Sequence, residues 1–279
     1  MQRSGGFLSR YSLLIGIILM FLFTWPIDLA NAGLMPFQVP FILYLFLGWG
    51  FIAAAVLMTW LTLGRAAAGQ LLRRYLMWRV GWKWYLALLI IPAAMVLSVY
   101  LYAALTGTAV DFSRVMADQI RPPGFSRLAF LIPFFITDVI ANGEEIGWRG
   151  YVLPRLQARN SALAAALITG VIWALWHIPK FLTHWDWGYV TVFLIDTMLK
   201  SVLLAWLYNS TGGSLLLVML AHAAWNTAGI FLPLASTLSN EGLGAFALQA
   251  AIEVLIVLVI VRLAGAADLS RAERRQVQT

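Results

Sequence analysis

The sequence predicts an all-α protein, a polytopic transmembrane bundle of about eight helices. Three observations carry that expectation. The 279 residues are 62% apolar and only 11% charged, where a soluble domain carries about 25% charged residues. Apolar stretches near the roughly 20 residues that a bilayer requires recur along the whole length. The arginines gather at the ends of those stretches rather than inside them, as the positive-inside rule expects. One integral membrane domain, 1–279, accounts for the length and leaves no room for a separate soluble domain. The formal charge of +7 therefore belongs to a membrane surface, not to nucleic acid. With no cysteine, disulfides, thiolate catalysis and Cys-ligated metal are excluded.

Taken in order, the spans are expected at about 11–29, 38–63, 84–106, 128–148, 161–178, 189–208, 214–235 and 243–263. Arg3 and Arg10 precede the first, and Ala30-Asn31-Ala32 resembles a signal-peptide cleavage site. That run is long enough to span and the next follows after a short loop, so the first helix is expected to be retained. Between the second and third spans, segment 65–83 carries Arg65, Arg73, Arg74, Arg79 and Lys83 among tryptophans and leucines. It reads as an interfacial segment on the cytoplasmic leaflet, with a substrate-docking surface as the functional alternative. Loop 107–127 is polar, contains Pro122-Pro123-Gly124, and is expected outside. The fourth span is allowed to run on as helix to about 158, where Arg155 and Arg159 follow it. Asp196 and Lys200, four apart in the sixth span, read as an internal pair. Glu253 stands alone in the eighth. Arg271, Arg274 and Arg275 make 265–279 a basic cytoplasmic tail. With eight spans every basic cluster falls on one face, which places both termini in the cytoplasm. No internal repeat stands out.

The chemistry gathers at Asn142-Gly143-Glu144-Glu145-Ile146-Gly147-Trp148-Arg149-Gly150. Ionisable groups at membrane depth cost several kcal/mol unless paired, which makes them functional candidates by default. Glu145 precedes Arg149 by four residues, the favourable orientation for a helical ion pair. Glu144 lies about 100° round the helix without such a partner. Glu145 and Arg149 are therefore structural partners and Glu144 is the free carboxylate. The plainer reading is an ion-pair cluster that pins two helices together. Further on, His177 precedes Ile178-Pro179 and is expected near a helix end or kink. His222 and Asn226, four apart, share a helix face.

Hairpin arithmetic relates these groups. Glu144 lies 16 residues before Asn160, and His177 lies 16 after Ser161. At 1.5 Å per residue both stand about 24 Å from a turn at 160–161, hence at one depth. From a turn at 211–213, His222 and Asn226 stand about 14 and 20 Å away. All four can then meet in one cavity. A glutamate and a histidine can together hold and deprotonate a water. A second histidine and an asparagine amide can stabilise the oxyanion that forms when that water attacks an amide carbonyl, roughly 3–4 kcal/mol per donor. That set describes a peptide hydrolase with no covalent intermediate.

Glu144-Glu145-x-x-x-Arg149, then Trp173-x-x-x-His177, then His222-x-x-x-Asn226, in that order in an eight-span chain, resemble the CPBP intramembrane proteases. This family includes the type II CAAX prenyl endopeptidases and the bacteriocin-processing or immunity proteins. The resemblance covers about 130–235. It implies Glu144 as the catalytic glutamate, His177 as the histidine that helps activate water, and His222 with Asn226 as the oxyanion pair. The second motif usually begins with phenylalanine, and here Trp173 takes that place. The implied activity is an intramembrane endopeptidase acting on a peptide or protein substrate, prenylated or not, within the lipid bilayer. Zinc is the open cofactor question, with Glu144, His177 and His222 as its ligands and water as a fourth. Asn226 is a poor ligand and no second carboxylate is evident to orient a ligating histidine, so the metal-free reading is favoured. Two rival functions use the same residues. One is a non-catalytic binding or immunity protein of the same fold. The other is a proton-coupled transporter, which internal repeats and paired broken helices would mark.

Overall fold

The computed structural model describes residues 6–40, 46–113, 115–235 and 242–271. Arg3, Arg274 and Arg275 lie outside them. No strand occurs among the described residues. The helices are α1 (Ser12–Asn31), α2 (Trp49–Leu63), α3 (Lys83–Thr106, with a turn at Leu88–Leu89), α4 (Arg127–Ala141), α5 (Ala162–Trp176), α6 (Trp187–Ser210), α7 (Leu215–Phe231) and α8 (Leu243–Ala264). By length and composition α1, α3, α6 and α8 can each cross a membrane, and α2, α5 and α7 are shorter apolar helices. Side-chain oxygens satisfy the orphan N–H groups where several begin. Ser126 accepts from Ala129 N, Ser161 from Ala164 N, Asp186 from Tyr189 N and Ser214 from Leu217 N.

Two elements differ from the sequence expectation. In the second span, expected over 38–63, residues 38–40 and 46–48 are not helical and a helix runs from Trp49; 41–45 lie outside the described residues. The fourth is not one helix. It stops at Ala141, leaves helical geometry at Asn142–Gly143, and resumes at Glu144. The resumed part winds as a π-helix over Ile146–Val152 and as α-helix over Leu153–Gln157. Asn142 has an extended backbone, and its side-chain oxygen accepts from Glu144 N at 3.1 Å, which caps the restart. Gly143 permits the break. A Cβ there would stand 2.3 Å from the carbonyl oxygen of Gly48, and one on Gly48 would stand 2.4 Å from Gly143 N. Two backbones cross where no side chain fits.

The resumed segment is the middle of the molecule. It packs against α1, α2, α5, α6 and α7, while α4 lies against α7. Ile146, Trp148, Tyr151 and Val152 are fully buried. Phe51 of α2 meets both Trp148 and Trp176, with ring centroids 4.9 and 5.1 Å apart. On the outside, Leu255, Leu258, Val259 and Leu263 of α8 are exposed, as a lipid-facing surface requires.

The basic segment 65–83 forms a helix over Arg65–Arg73 and a 3-10 turn over Arg74–Leu76. Arg74 donates to the Tyr208 hydroxyl at 2.7 Å, and Ser214 donates to Met77 O at 2.6 Å. Trp78 and Trp82 remain exposed. The connection between α3 and α4 is pinned by Asp118, which accepts from Arg121 at 3.1 Å and from Arg127. Those bonds, Arg127 first, hold the Asp118 carboxyl down to about 2.

Candidate active site

Glu144 begins the resumed helix, and the geometry that supports it comes from α5. The indole N–H of Trp173 donates to Glu144 Oε2 at 2.8 Å. Oε1 has no hydrogen-bond partner among the described residues. Glu145 points the other way, fully buried, and accepts from Arg149 at 3.1 Å. The same oxygen, Oε1, lies 2.7 Å from Nδ1 of His222. Adjacent residues diverge because successive side chains on a helix are about 100° apart.

Trp173 also meets His177, Arg149 and His222. Its carbonyl lies 2.9 Å from His177 Nδ1. A carbonyl only accepts, so Nδ1 carries the proton and the Nε2 of a neutral His177 keeps its lone pair. The Arg149 guanidinium lies 4.6 Å over the indole, and the His222 ring stands 5.5 Å from it. His177 caps the C-terminus of α5 and is followed by a 3-10 turn over Ile178–Phe181, as Pro179 requires. His222 stacks on Trp225 at 4.4 Å. With Nδ1–H given to the Glu145 carboxylate, a neutral His222 presents Nε2 as an acceptor. It donates from Nε2 only when doubly protonated, with Glu145 as counter-charge.

His177, His222, Asn226 and Trp173 line one cavity of about 410 Å³. Glu144 is half-buried, accepts from Trp173, and does not line it. The cavity lies toward the end of the bundle that carries the α3–α4 connection, with Gln119 and Leu232 in its wall. The structure thus gathers His177, His222 and Asn226 on one cavity and reaches Glu144 through Trp173.

Several polar residues at this cavity were not singled out in the sequence. Asp138 of α4 accepts from the Asn226 side-chain nitrogen at 3.1 Å. Lys180 lines the cavity with its Nζ 5.2 Å over the Trp176 ring. The expected Asp196–Lys200 pair forms at 2.6 Å, and both residues are cavity-lining. Gln249 joins it, donating to Asp196 and to Glu253 at 2.9 Å each, so Glu253 belongs to a network. Asp28 is a further buried carboxylate, on α1. The signal for Asp138 and Asp28 was present, since each is an ionisable group inside an apolar run.

Among the described residues no three His, Asp or Glu side chains gather closely enough to hold a metal ion. The Nδ1 atoms of both histidines are held by a carbonyl and a carboxylate, which leaves each Nε2 as the available ring nitrogen, and Glu144 does not line the cavity that both rings line. Glu144, His177 and His222 do not gather as one ligand set among the described residues.

Residues 123–228 match the family model described as type II CAAX prenyl endopeptidase Rce1-like. The chain is 26% identical over 144 residues to CAAX prenyl protease 2 of Methanococcus maripaludis. That alignment covers 48% of this chain, and the chain spans about half, 51%, of the relative's length. Glu144, Glu145, Arg149, His177, His222 and Asn226 all fall inside the matched segment. The central region that carries these residues, 123–228, is thus similar to the Rce1-like type II CAAX prenyl endopeptidases.

Proposed function

We propose that the chain is an intramembrane endopeptidase that hydrolyses a peptide bond of a lipidated or membrane-associated peptide. The observation that carries this reading is the meeting of His177, His222 and Asn226 on one cavity wall, with Glu144 tied to that wall by Trp173. A water between the Glu144 carboxylate and His177 Nε2 gives up a proton to that carboxylate as its oxygen attacks the carbonyl carbon. The carbonyl oxygen becomes an oxyanion facing Asn226 and His222. Asn226 has one side-chain N–H on Asp138, which leaves the other for the oxyanion. The tetrahedral species collapses, the C–N bond breaks, and the leaving amine takes the proton. The products are a carboxylate and an amine.

The name of the relative and the family description favour a CAAX-type substrate. The test is cleavage of a fluorogenic prenylated CAAX-type peptide by purified protein, Glu144→Ala and His177→Ala, each with and without a strong zinc chelator. The proposal expects cleavage by the unaltered protein, survival under chelation, and loss in both variants. Loss on chelation with recovery on zinc addition overturns the metal-free mechanism. Full activity in Glu144→Ala overturns the role of that carboxylate. We also propose that the basic end of the bundle and both termini are cytoplasmic. Single cysteines introduced at Thr108 and Arg159 into this cysteine-free chain should label from opposite sides.

A further inference from the structure

A second cavity, of about 580 Å³, lies at the opposite end of the bundle from the candidate active site. It is built where α3 begins and where α6 and α8 end. Lys83 and Arg271 line it, together with Ser210, Trp84 and Trp206. Its remaining wall is mostly apolar, from α3 and from Ile260 and its neighbours on α8. No acidic residue lines it among the described residues. Trp84 and Trp206 meet edge to face at 5.3 Å and form one side. Lys83 Nζ stands 5.2 Å over the Trp84 ring. Arg271 donates through Nε to Leu263 O at 3.3 Å, and its two terminal nitrogens make no hydrogen bond among the described residues.

We propose that this groove is a binding site for an anionic phospholipid. Position comes first in the argument. Three helices long and apolar enough to cross a membrane have their ends here, the ends of such helices stand at the depth of lipid headgroups, and tryptophan at that depth marks the interface. Chemistry is the second ground. Two cations and two serine hydroxyls line it with no carboxylate among the lining residues to oppose a phosphate, and the rest of its wall is apolar. An inorganic phosphate would satisfy the cations but leave the apolar wall exposed. A zwitterionic lipid would satisfy the wall but bring its own cation to a cationic mouth. An anionic phospholipid satisfies both. Basic pockets between transmembrane helices bind lipid headgroups for this reason. The site does not depend on the catalytic reading.

The experiment is native mass spectrometry of the full chain released from detergent, titrated with phosphatidylglycerol or phosphatidylcholine of matched acyl chains. Phosphatidylglycerol should be retained in preference. The double variant Lys83→Gln, Arg271→Gln should weaken its retention by on the order of tenfold. The control double variant Arg65→Gln, Arg79→Gln, which removes two cations outside the groove, should leave it within about twofold. Thermal melting of each variant in detergent separates lost binding from lost fold. Equal retention of the two lipids, equal loss in the control, or displacement by millimolar inorganic phosphate overturns the proposal. Displacement by an equal concentration of farnesylated peptide also overturns it, and assigns the groove to a substrate chain instead.

Discussion

Trp173 is the residue on which the candidate site turns. A phenylalanine there would keep the ring against Arg149 and His222 but would lose the N–H that Glu144 accepts. A hydrogen bond to a charged group contributes about 1.5–3 kcal/mol. Trp173→Phe should therefore lower kcat by roughly ten- to hundredfold while KM changes little. A change confined to KM on the fluorogenic peptide would sink the positioning role. Asp138 plays a similar part for Asn226. Asp138→Ala should release that amide and lower kcat by on the order of tenfold, without unfolding the protein. Arg149 shows the opposite economy, because it is fully buried and has Glu145 as its counter-charge. Glu145→Ala should destabilise the fold by about 3–5 kcal/mol, the cost of an uncompensated buried charge. Denaturation in detergent checks this, and the double variant Glu145→Ala, Arg149→Met should lose less than the single one.

At the scale of elements, the break between α4 and the π-helix is what presents Glu144. Its geometry depends on the crossing of Gly143 with Gly48, where a Cβ would meet a carbonyl oxygen at 2.3 Å. That oxygen is backbone and cannot swing aside. Gly143→Ala should cost about 1–3 kcal/mol and shift the restart of the helix, and so reduce activity as well as melting temperature. The connection ahead of α4 makes a pH prediction. Asp118 is held below its ordinary value of 3.8, to about 2. Its stabilisation is present above 3.8 and is lost as the pH falls toward about 2. Pepsin should therefore cut the 107–126 connection more readily at pH 2 than at pH 4. Asp118→Asn should be cut equally at both.

For the whole molecule, the two cavities divide the bundle. One holds the polar residues of α5, α6, α7 and α8 near the α3–α4 connection, and the other opens among basic residues where α3, α6 and α8 meet the opposite interface. A bundle gains little from apolar contact in lipid, so buried polar links carry much of its specificity. The Trp176 indole on Thr24 at 2.7 Å, the Trp25 indole on Trp176 O at 2.9 Å and the Ser201 hydroxyl on Ala166 O at 2.7 Å tie α1 to α5 and α5 to α6.

Much of this was legible before any coordinates. Apolar runs located the helices, because a bilayer demands backbone groups satisfied within each span. Residue spacing disclosed the Glu145–Arg149 and Asp196–Lys200 pairs, because neighbours four apart on a helix must meet. Serines and glycines marked the turns at 160–161 and 211–213, from which the depth of His177 and His222 followed. The tertiary structure decided what spacing along one helix cannot contain. It joined Glu144 to Trp173 across 29 residues and Glu145 to His222 across 77, and gave Asn226 its partner Asp138 across 88. It also broke the fourth span at Asn142–Gly143, where the local Asn-Gly turn meets the backbone of Gly48 just ahead of α2. Periodicity reports which face of a helix is apolar, and only packing reports which face of which neighbour it meets.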